Sequence, residues 1–409
     1  MSVVGIIAEY NPFHNGHKYQ IEKIKSMTEC DDIVVVMSGN FVQRGVPAIL
    51  DKYTRAKMAI KNGASLVLEM PVTASTSSAE LFAHYGVSLL NCLGNVDYLC
   101  FGAENDDIDI LSQIADILLN EPMEFQKILA EQLSAGNSFP VARSAAILQC
   151  LNSVYTDSEI IKIINSPNNI LAIEYLKALK RTKSNIVPLI IKRTDKGYSS
   201  LEVSGEYASA TSIRNMLETG DYQSVCHYVP SNIYSDLNTG LLKTNMFSDI
   251  LYSRLLTDRN YTAYSDVSEE LANRISNSLS GFDEFESFVQ KIHSKNYTDS
   301  HNTRALMHIL LGITNNVPEW IFDVSNYYLN VLAIKNTNLS ILNDIKKKSK
   351  IPFVSKFGTF YNSLEYDNSI RKILDINIDS DRLYNYLSKK YCGKTLADDF
   401  TINFKDKIV

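Results

Sequence analysis

Short, uninterrupted apolar runs recur along the first half of the chain: VVGIIA at 3–8, DDIVVVM at 31–37, ASLVLEM at 64–70, VDYLCF at 96–101 and NIVPLIIK at 185–192. Strands covered on both faces show continuous rather than alternating hydrophobicity, so these runs predict a parallel sheet wrapped by helices. Helical patterns fall between them, giving the βα order that such a sheet requires. KYTRAKMAIKNG sets Ala56, Ala59 and Ile60 at helical spacing and stops at Gly63. The stretch from Asp107 to Leu133 predicts two helices parted at Pro122. After about residue 235 the pattern changes to apolar positions three and four apart, as in FSDILYSRLL, VSEELANRISNSL and TRALMHILLGI. The final stretch, 350–391, mixes a short strand or two with helices. The expected architecture is α/β, with a Rossmann-like parallel sheet over 1–235 and a mainly helical domain over 236–409.

Composition narrows the setting. With 409 residues, 45% of them hydrophobic, the chain can bury a large core in two or three domains. No stretch approaches the ~18 apolar residues of a membrane span, and no signal-peptide pattern opens the chain, so a cytoplasmic protein is expected. The six cysteines are widely spaced without a CxxC pair, which indicates reduced core thiols rather than a zinc site or a disulfide framework. A net charge of −6 argues against indiscriminate polyanion binding and leaves room only for a local basic face.

Candidate chemistry begins in AEYNPFHNGHKYQ, behind the first apolar run. Pro12 cannot continue a strand ladder, and Gly16 lets a ligand approach the backbone. His17 falls in the first turn of a helix whose Ile21 and Ile24 face inwards. Unpaired N–H groups and the positive dipole end there suit an anion, and two imidazoles can donate to phosphate oxygens. The pair is also compatible with plain turn residues or half of a metal site. A second helix start, SATSIR near residue 210, offers Ser209, Thr211 and Ser212 hydroxyls with Arg214 just inside, able to fork onto phosphate.

Together HNGH and SATSIR, about 195 residues apart, resemble the HIGH-motif nucleotidyltransferase superfamily. The segments AEYNPFHNGHKYQ, VVMSGNFVQRGVPAILDKYTRAKMAIKNGASLVLEMP, FGAEN, SPNNILAIEYLKALK and YASATSIR resemble bacterial tRNA(Met) cytidine acetate ligases through essentially the first 220 residues, and KNYTDSHNTRALMHILLGI does so more loosely. The resemblance implies ATP as substrate, with Mg²⁺ compatible and no resident metal site. It implies activation of acetate as acetyl adenylate and acetyl transfer to N4 of the wobble cytidine of elongator tRNA(Met). It assigns His14, His17, Ser212 and Arg214 to the triphosphate. It assigns ATP binding to Ile7, Ala8, Glu9, Tyr10, Asn11, Pro12, Phe13, His14, Asn15, Gly16, His17, Lys18, Tyr19 and Gln20, with Gly102, Asn168 and Arg193. The family pattern has a further basic residue near Asn302 that this chain lacks.

Each of these residues also has a plainer reading: Gly102 as a strand-end turn, Asn168 as a helix cap, and Arg193, Gln43 and Arg44 as loop residues. Lys346, Lys347 and Lys348 in DIKKKSK are candidates for tRNA phosphates or a solvated turn. Two other functions fit the same residues: an adenylyltransferase acting on a phosphorylated small molecule, and a nucleotide- and RNA-binding protein without turnover.

Overall fold

The computed structural model of the chain describes residues 2–151, 154–193, 207–238 and 240–409. The strands are β1 (Val3–Ala8), β2 (Asp32–Ser38), a small hairpin of β3 (Phe41–Val42) and β4 (Val46–Pro47), then β5 (Leu66–Met70), β6 (Tyr98–Ala103), β7 (Val187–Lys192), β8 (Leu329–Ile334) and β9 (Phe353–Val354). The five apolar runs thus become β1, β2, β5, β6 and β7. Among the described residues seven strands make one sheet in the order β7-β6-β1-β2-β5-β8-β9, with those five parallel to one another. Chain order runs outward from β1 through β2 to β5, then returns to β6 on the other side. The direction of winding therefore switches between β1 and β6, where a crevice opens at the C-terminal strand ends.

Successive residues of β2 serve opposite faces. Val34 and Val36 join one apolar cluster with Phe82, Leu89, Ile173 and Leu176, while Val35 and Met37 join another with Ile21, Ile24, Ala56 and Ile213. Continuous hydrophobicity follows directly from covering both faces. The two helices expected around Pro122 are Ile108–Asn120 and Met123–Ser134.

The second half is mainly helical, yet the sheet crosses the boundary expected at 235. LNVLAI forms β8, buried along its whole length and antiparallel to β5, with Leu66 opposite Ile334. β9 extends the sheet parallel to β8. Among the described residues no helix is long and apolar enough to cross a membrane.

The two halves are also joined by buried charge. Lys52, at the start of the helix Lys52–Lys61, places its ammonium 2.8 Å from Glu69, 2.6 Å from Asp381 and 2.7 Å from Asp399. Glu69 belongs to β5, and Asp381 to the helix Ser369–Cys392. Asn40 and Tyr53 donate to Asp381 and Asp399, and Asn330 of β8 donates to Glu69. These three carboxylates converge as a metal site would, but the Lys52 ammonium occupies their centre.

Removing one member of such a buried set strands the others, at a cost of about 3–5 kcal/mol. Lys52→Met is expected to lose that much in denaturant unfolding. Burial pushes the Asp381 carboxyl up to about 7 against the pull of Lys52, whereas an unfolded Asp titrates near ~3.9. The folded state therefore keeps a proton that the unfolded chain releases between about pH 4 and 7, so this contribution is full below about pH 4 and lost as pH rises through about 7. Asp381→Asn should accordingly show a smaller fall in Tm between about pH 5 and about pH 8 than the parent, which calorimetry would measure.

Candidate active site

The crevice at the winding switch holds a cavity of about 170 Å³, with a second of about 90 Å³ beside it. His14, His17, Gln20, Gly102 and Arg193 line both, so the two are parts of one cleft.

The first wall is built by the turn after β1 and the helix Asn15–Thr28. His14 is the N-cap, with its Nδ1 accepting the Gly16 N–H at 3.1 Å, and His17 Nδ1 accepts the His14 N–H at 3.2 Å. This reciprocal pair satisfies helix-end N–H groups with imidazoles where Ser and Glu more often serve. Both Nδ1 atoms act as acceptors, so each neutral ring carries its proton on Nε2. The rings stack at 3.7 Å, and Tyr10 and Phe13 pack on His17. Burial, followed by the neighbouring His14 and Arg193, holds the His17 imidazole well below its ordinary range. A neutral Nε2–H donor is therefore the resting form at neutral pH. Two engaged, stacked rings do not present the tetrahedral ligand set of a zinc site.

The second wall is the helix Ala210–Glu218. Ser209 caps it by accepting from Ser212 N–H, and the Ser209 and Ser212 hydroxyls lie 2.9 Å apart. Arg214 joins the two walls: Nη1 donates to the Asn11 carbonyl at 2.7 Å and Nη2 to Thr211 Oγ1 at 3.0 Å. Ser209, Thr211 and Arg214 line the larger cavity, whereas Ser212 is buried beneath them and is absent from the lining.

The other expected residues divide in the same way. Ile7, Ala8, Glu9, Tyr10 and Asn11 line the larger cavity, and Gly16 and Tyr19 the smaller. Phe13 and Pro12 are buried away from the cleft, and Asn15 bonds the His227 carbonyl. Lys18 faces solvent and pairs with Glu22 at 3.8 Å. A Cβ at Gly102 would lie 3.3 Å from the Arg193 side chain crossing it, a tight contact that a shift of Arg193 by a few tenths of an ångström would relieve. Asn168 is not the cap of its helix. Glu104 performs that role from β6's exit, accepting from Asn168 N–H, Asn169 N–H and the Asn168 amide at 3.2, 2.8 and 2.7 Å, which holds the Asn168 side chain at the cavity wall. Gln43 lines the cavity as well, but Arg44 does not.

Several cleft residues carried no sequence signal. Phe82, Phe101, Leu171 and Tyr175 also line the larger cavity and pack with the apolar cluster distinct from that of Arg214's helix, and each sits in an apolar stretch that reads as core. Arg55, fully buried, donates to the carbonyls of Glu9, Ser38, Gly39 and Leu50, which ties the ends of β1 and β2 together. Asn302 is fully buried.

The lysine run stands apart from the cleft. Lys346, Lys347 and Lys348 form the exposed last turn of the helix Ser340–Lys348. Lys348 packs by Gly94, which ends the helix Ala79–Leu93 whose first turn supplies Phe82. The helix between them separates run and cavity by roughly 20 Å.

Residues 1–399 match the family model described as HIGH Nucleotidyl Transferase. The tRNA(Met) cytidine acetate ligase of Caldanaerobacter subterraneus subsp. tengcongensis is 42% identical over 371 residues, covering 89% of this chain and 91% of its own. That of Clostridium novyi is 38% identical, covering 95% and 96%. The crystal structure of Thermotoga maritima TmcAL bound with alpha-thio ATP superposes with a TM-score of 0.88 at 29% identity, covering 98% of each chain. The chain belongs to the HIGH nucleotidyltransferase family and, within it, to the tRNA(Met) cytidine acetate ligases.

Proposed function

We propose that the protein activates acetate with ATP, forming acetyl adenylate and pyrophosphate, and transfers the acetyl group to N4 of the wobble cytidine of elongator tRNA(Met) to give N4-acetylcytidine. The observation that carries this reading is the meeting of the two helix starts. Arg214 bridges them, while His14 and His17 line the same cavity as neutral Nε2–H donors. Acetate attacks the α-phosphorus of ATP, and pyrophosphate leaves with the bonding electrons. Fixed donors that meet the growing negative charge lower that barrier without reorganising.

In this reading ATP lies along the turn from Ile7 to Gln20, with Gly102, Asn168 and Arg193 at its other edge. Thr211 and Arg214 face the phosphates directly, and Ser212 acts through the Ser209 hydroxyl that it meets. Mg²⁺ would arrive with the triphosphate and be held mainly by phosphate oxygens and water, its usual habit. The exocyclic amine of cytosine is a weak nucleophile because its lone pair is delocalised into the ring. The mixed anhydride with AMP supplies the leaving group that makes attack feasible.

The cleft favours this over adenylylation of a phosphorylated small molecule. The part of its lining made by Phe82, Phe101, Leu171 and Tyr175 is apolar and aromatic, which suits an everted loop base better than a second phosphate. The exposed lysines 346–348 offer a patch for tRNA phosphates remote from the reacting base.

Pyrophosphate exchange into ATP is expected to require acetate; exchange only with a phosphorylated small molecule would overturn the reading. His14→Ala and His17→Ala should each lower that exchange by roughly 10²- to 10³-fold. Thermal unfolding should register about 1 kcal/mol, the worth of a lost cap. Replacing Lys346, Lys347 and Lys348 together by alanine should weaken tRNA binding and reduce its log–log salt slope by up to about one unit per lost contact. Exchange in that triple variant should persist, and affinity measured at two salt concentrations tests the patch.

A further inference from the structure

One carboxylate stands in a cleft otherwise furnished for anions. Among the described residues lining the larger cavity, Glu9 is the single acid, and the other ionisable groups include His14, His17, Arg193 and Arg214. A negative charge there repels the triphosphate that those groups attract, so attraction for the phosphates does not account for it. A lone carboxylate supplies too few oxygens to hold a divalent cation without the triphosphate's own oxygens.

Its position indicates a different task. Glu9 follows the last residue of β1, and Arg55 holds its main-chain carbonyl at 2.5 Å. Its Oε1 accepts the Gln43 N–H at 2.9 Å, and the Gln43 amide donates to the Ser77 carbonyl at 3.1 Å, just before the helix that bears Phe82; Glu9 lines the same cavity as Phe82, Phe101, Leu171 and Tyr175. Among the described residues no salt bridge to the carboxylate is formed within 4.0 Å, and the buried Arg55 guanidinium acts on it electrostatically.

We propose that Glu9 is the catalytic base of acetyl transfer, taking the proton from the exocyclic amine of a cytosine lodged against Phe82, Phe101, Leu171 and Tyr175. This rests on the acetate ligase reading above. The amine nitrogen bonds to the acetyl carbonyl carbon. The carbon–oxygen bond to phosphate breaks, and AMP leaves with its electron pair. Once bonded to carbon the nitrogen carries excess positive charge, and its proton passes to Glu9 Oε2, because Oε1 is engaged by Gln43. The same carboxylate discriminates between bases. Uracil presents a carbonyl oxygen where cytosine presents N–H donors, and that oxygen would face Glu9 lone pair to lone pair.

Three assays on the full-length protein separate the half-reactions: acetate-dependent pyrophosphate exchange, trapping of acetyl adenylate as acetohydroxamate by hydroxylamine, and acetylation of elongator tRNA(Met). Hydroxylamine is a strong nucleophile and needs no protein base. Glu9→Gln should lower tRNA acetylation by roughly 10²- to 10⁴-fold, the range typical of a lost general base, and at least about tenfold more than it lowers exchange and trapping, which register any effect of the change on the ATP-lining turn. Glu9→Asp keeps the carboxylate and should recover at least about tenfold of tRNA acetylation over Glu9→Gln. Equal losses in all three assays, tRNA acetylation at the parental rate, or no recovery with Asp each overturn the assignment. A parent without acetate-dependent exchange overturns the ligase reading and this role together, whereas an active parent beside a fully active Glu9→Gln overturns this role alone.

Discussion

Two buried cations one turn apart on a single helix organise the molecule. Lys52 gathers carboxylates from β5, the helix Ser369–Cys392 and the segment around Asp399, while Arg55 gathers backbone carbonyls from the ends of β1 and β2. A buried ammonium or guanidinium without such partners would be prohibitively unstable, so each cation dictates where its partners must lie. Lys52 joins the second half of the chain to the sheet. Arg55 sets the backbone from which the cleft begins. Tyr10, the residue after the carbonyl that Arg55 holds, has a φ of 49°, a conformation that an L-residue keeps only where its surroundings demand it. The floor of the site is thus held from below by a group that touches no substrate.

Above that floor the cleft is electrically lopsided. On the sheet face covered by the helices Asn15–Thr28 and Ala210–Glu218, Arg214 and the two neutral histidines offer donors at helix starts. Phe82, Phe101 and Tyr175 belong to the other face's apolar cluster and offer a stacking surface, and Glu9 lines the same cavity as an acceptor. Neutral imidazoles suit the first side because an imidazolium would bind the ground-state triphosphate as strongly as the transition state, and only the difference between the two accelerates a reaction. Burial and the neighbouring Arg193 keep His17 in that form.

Much of the sheet was legible because its signal is local. Continuous apolar runs such as VVGIIA and ASLVLEM report two covered faces regardless of partners, and Pro122 parts two helices wherever they pack. β8 was not legible. LNVLAI pairs with a strand some 260 positions earlier, as Leu66 opposite Ile334, and a six-residue apolar run reads equally well as part of a buried helix. Lys52 and Arg55 were hidden for a related reason. In KYTRAKMAIKNG they fall on what reads as the polar face, but β8 covers that face and the acids come from distant segments. HNGH and SATSIR were readable because helix starts advertise themselves through caps and charge. Ser212, assigned to the triphosphate by the family resemblance, is buried beneath the wall against Ser209, and Ser209 and Thr211 are the hydroxyl residues that line the cavity.

The arrangement places both half-reactions within reach of one fixed strand end. Acetyl adenylate is reactive towards water, so an enzyme that makes it gains by keeping the acceptor site contiguous with the adenylation site. The turn from Ala8 to Asn11 is the common boundary: Glu9 accepts from Gln43, and the Asn11 carbonyl receives Arg214. On the proposed reading these four residues position the groups of both steps, and Arg55 ties the turn to the sheet through the Glu9 carbonyl. A shift of this turn would misalign donors and acceptor together. That explains in physical terms why the rigid, buried guanidinium lies directly beneath it, and why a residue with no access to substrate is among the most completely enclosed in the protein.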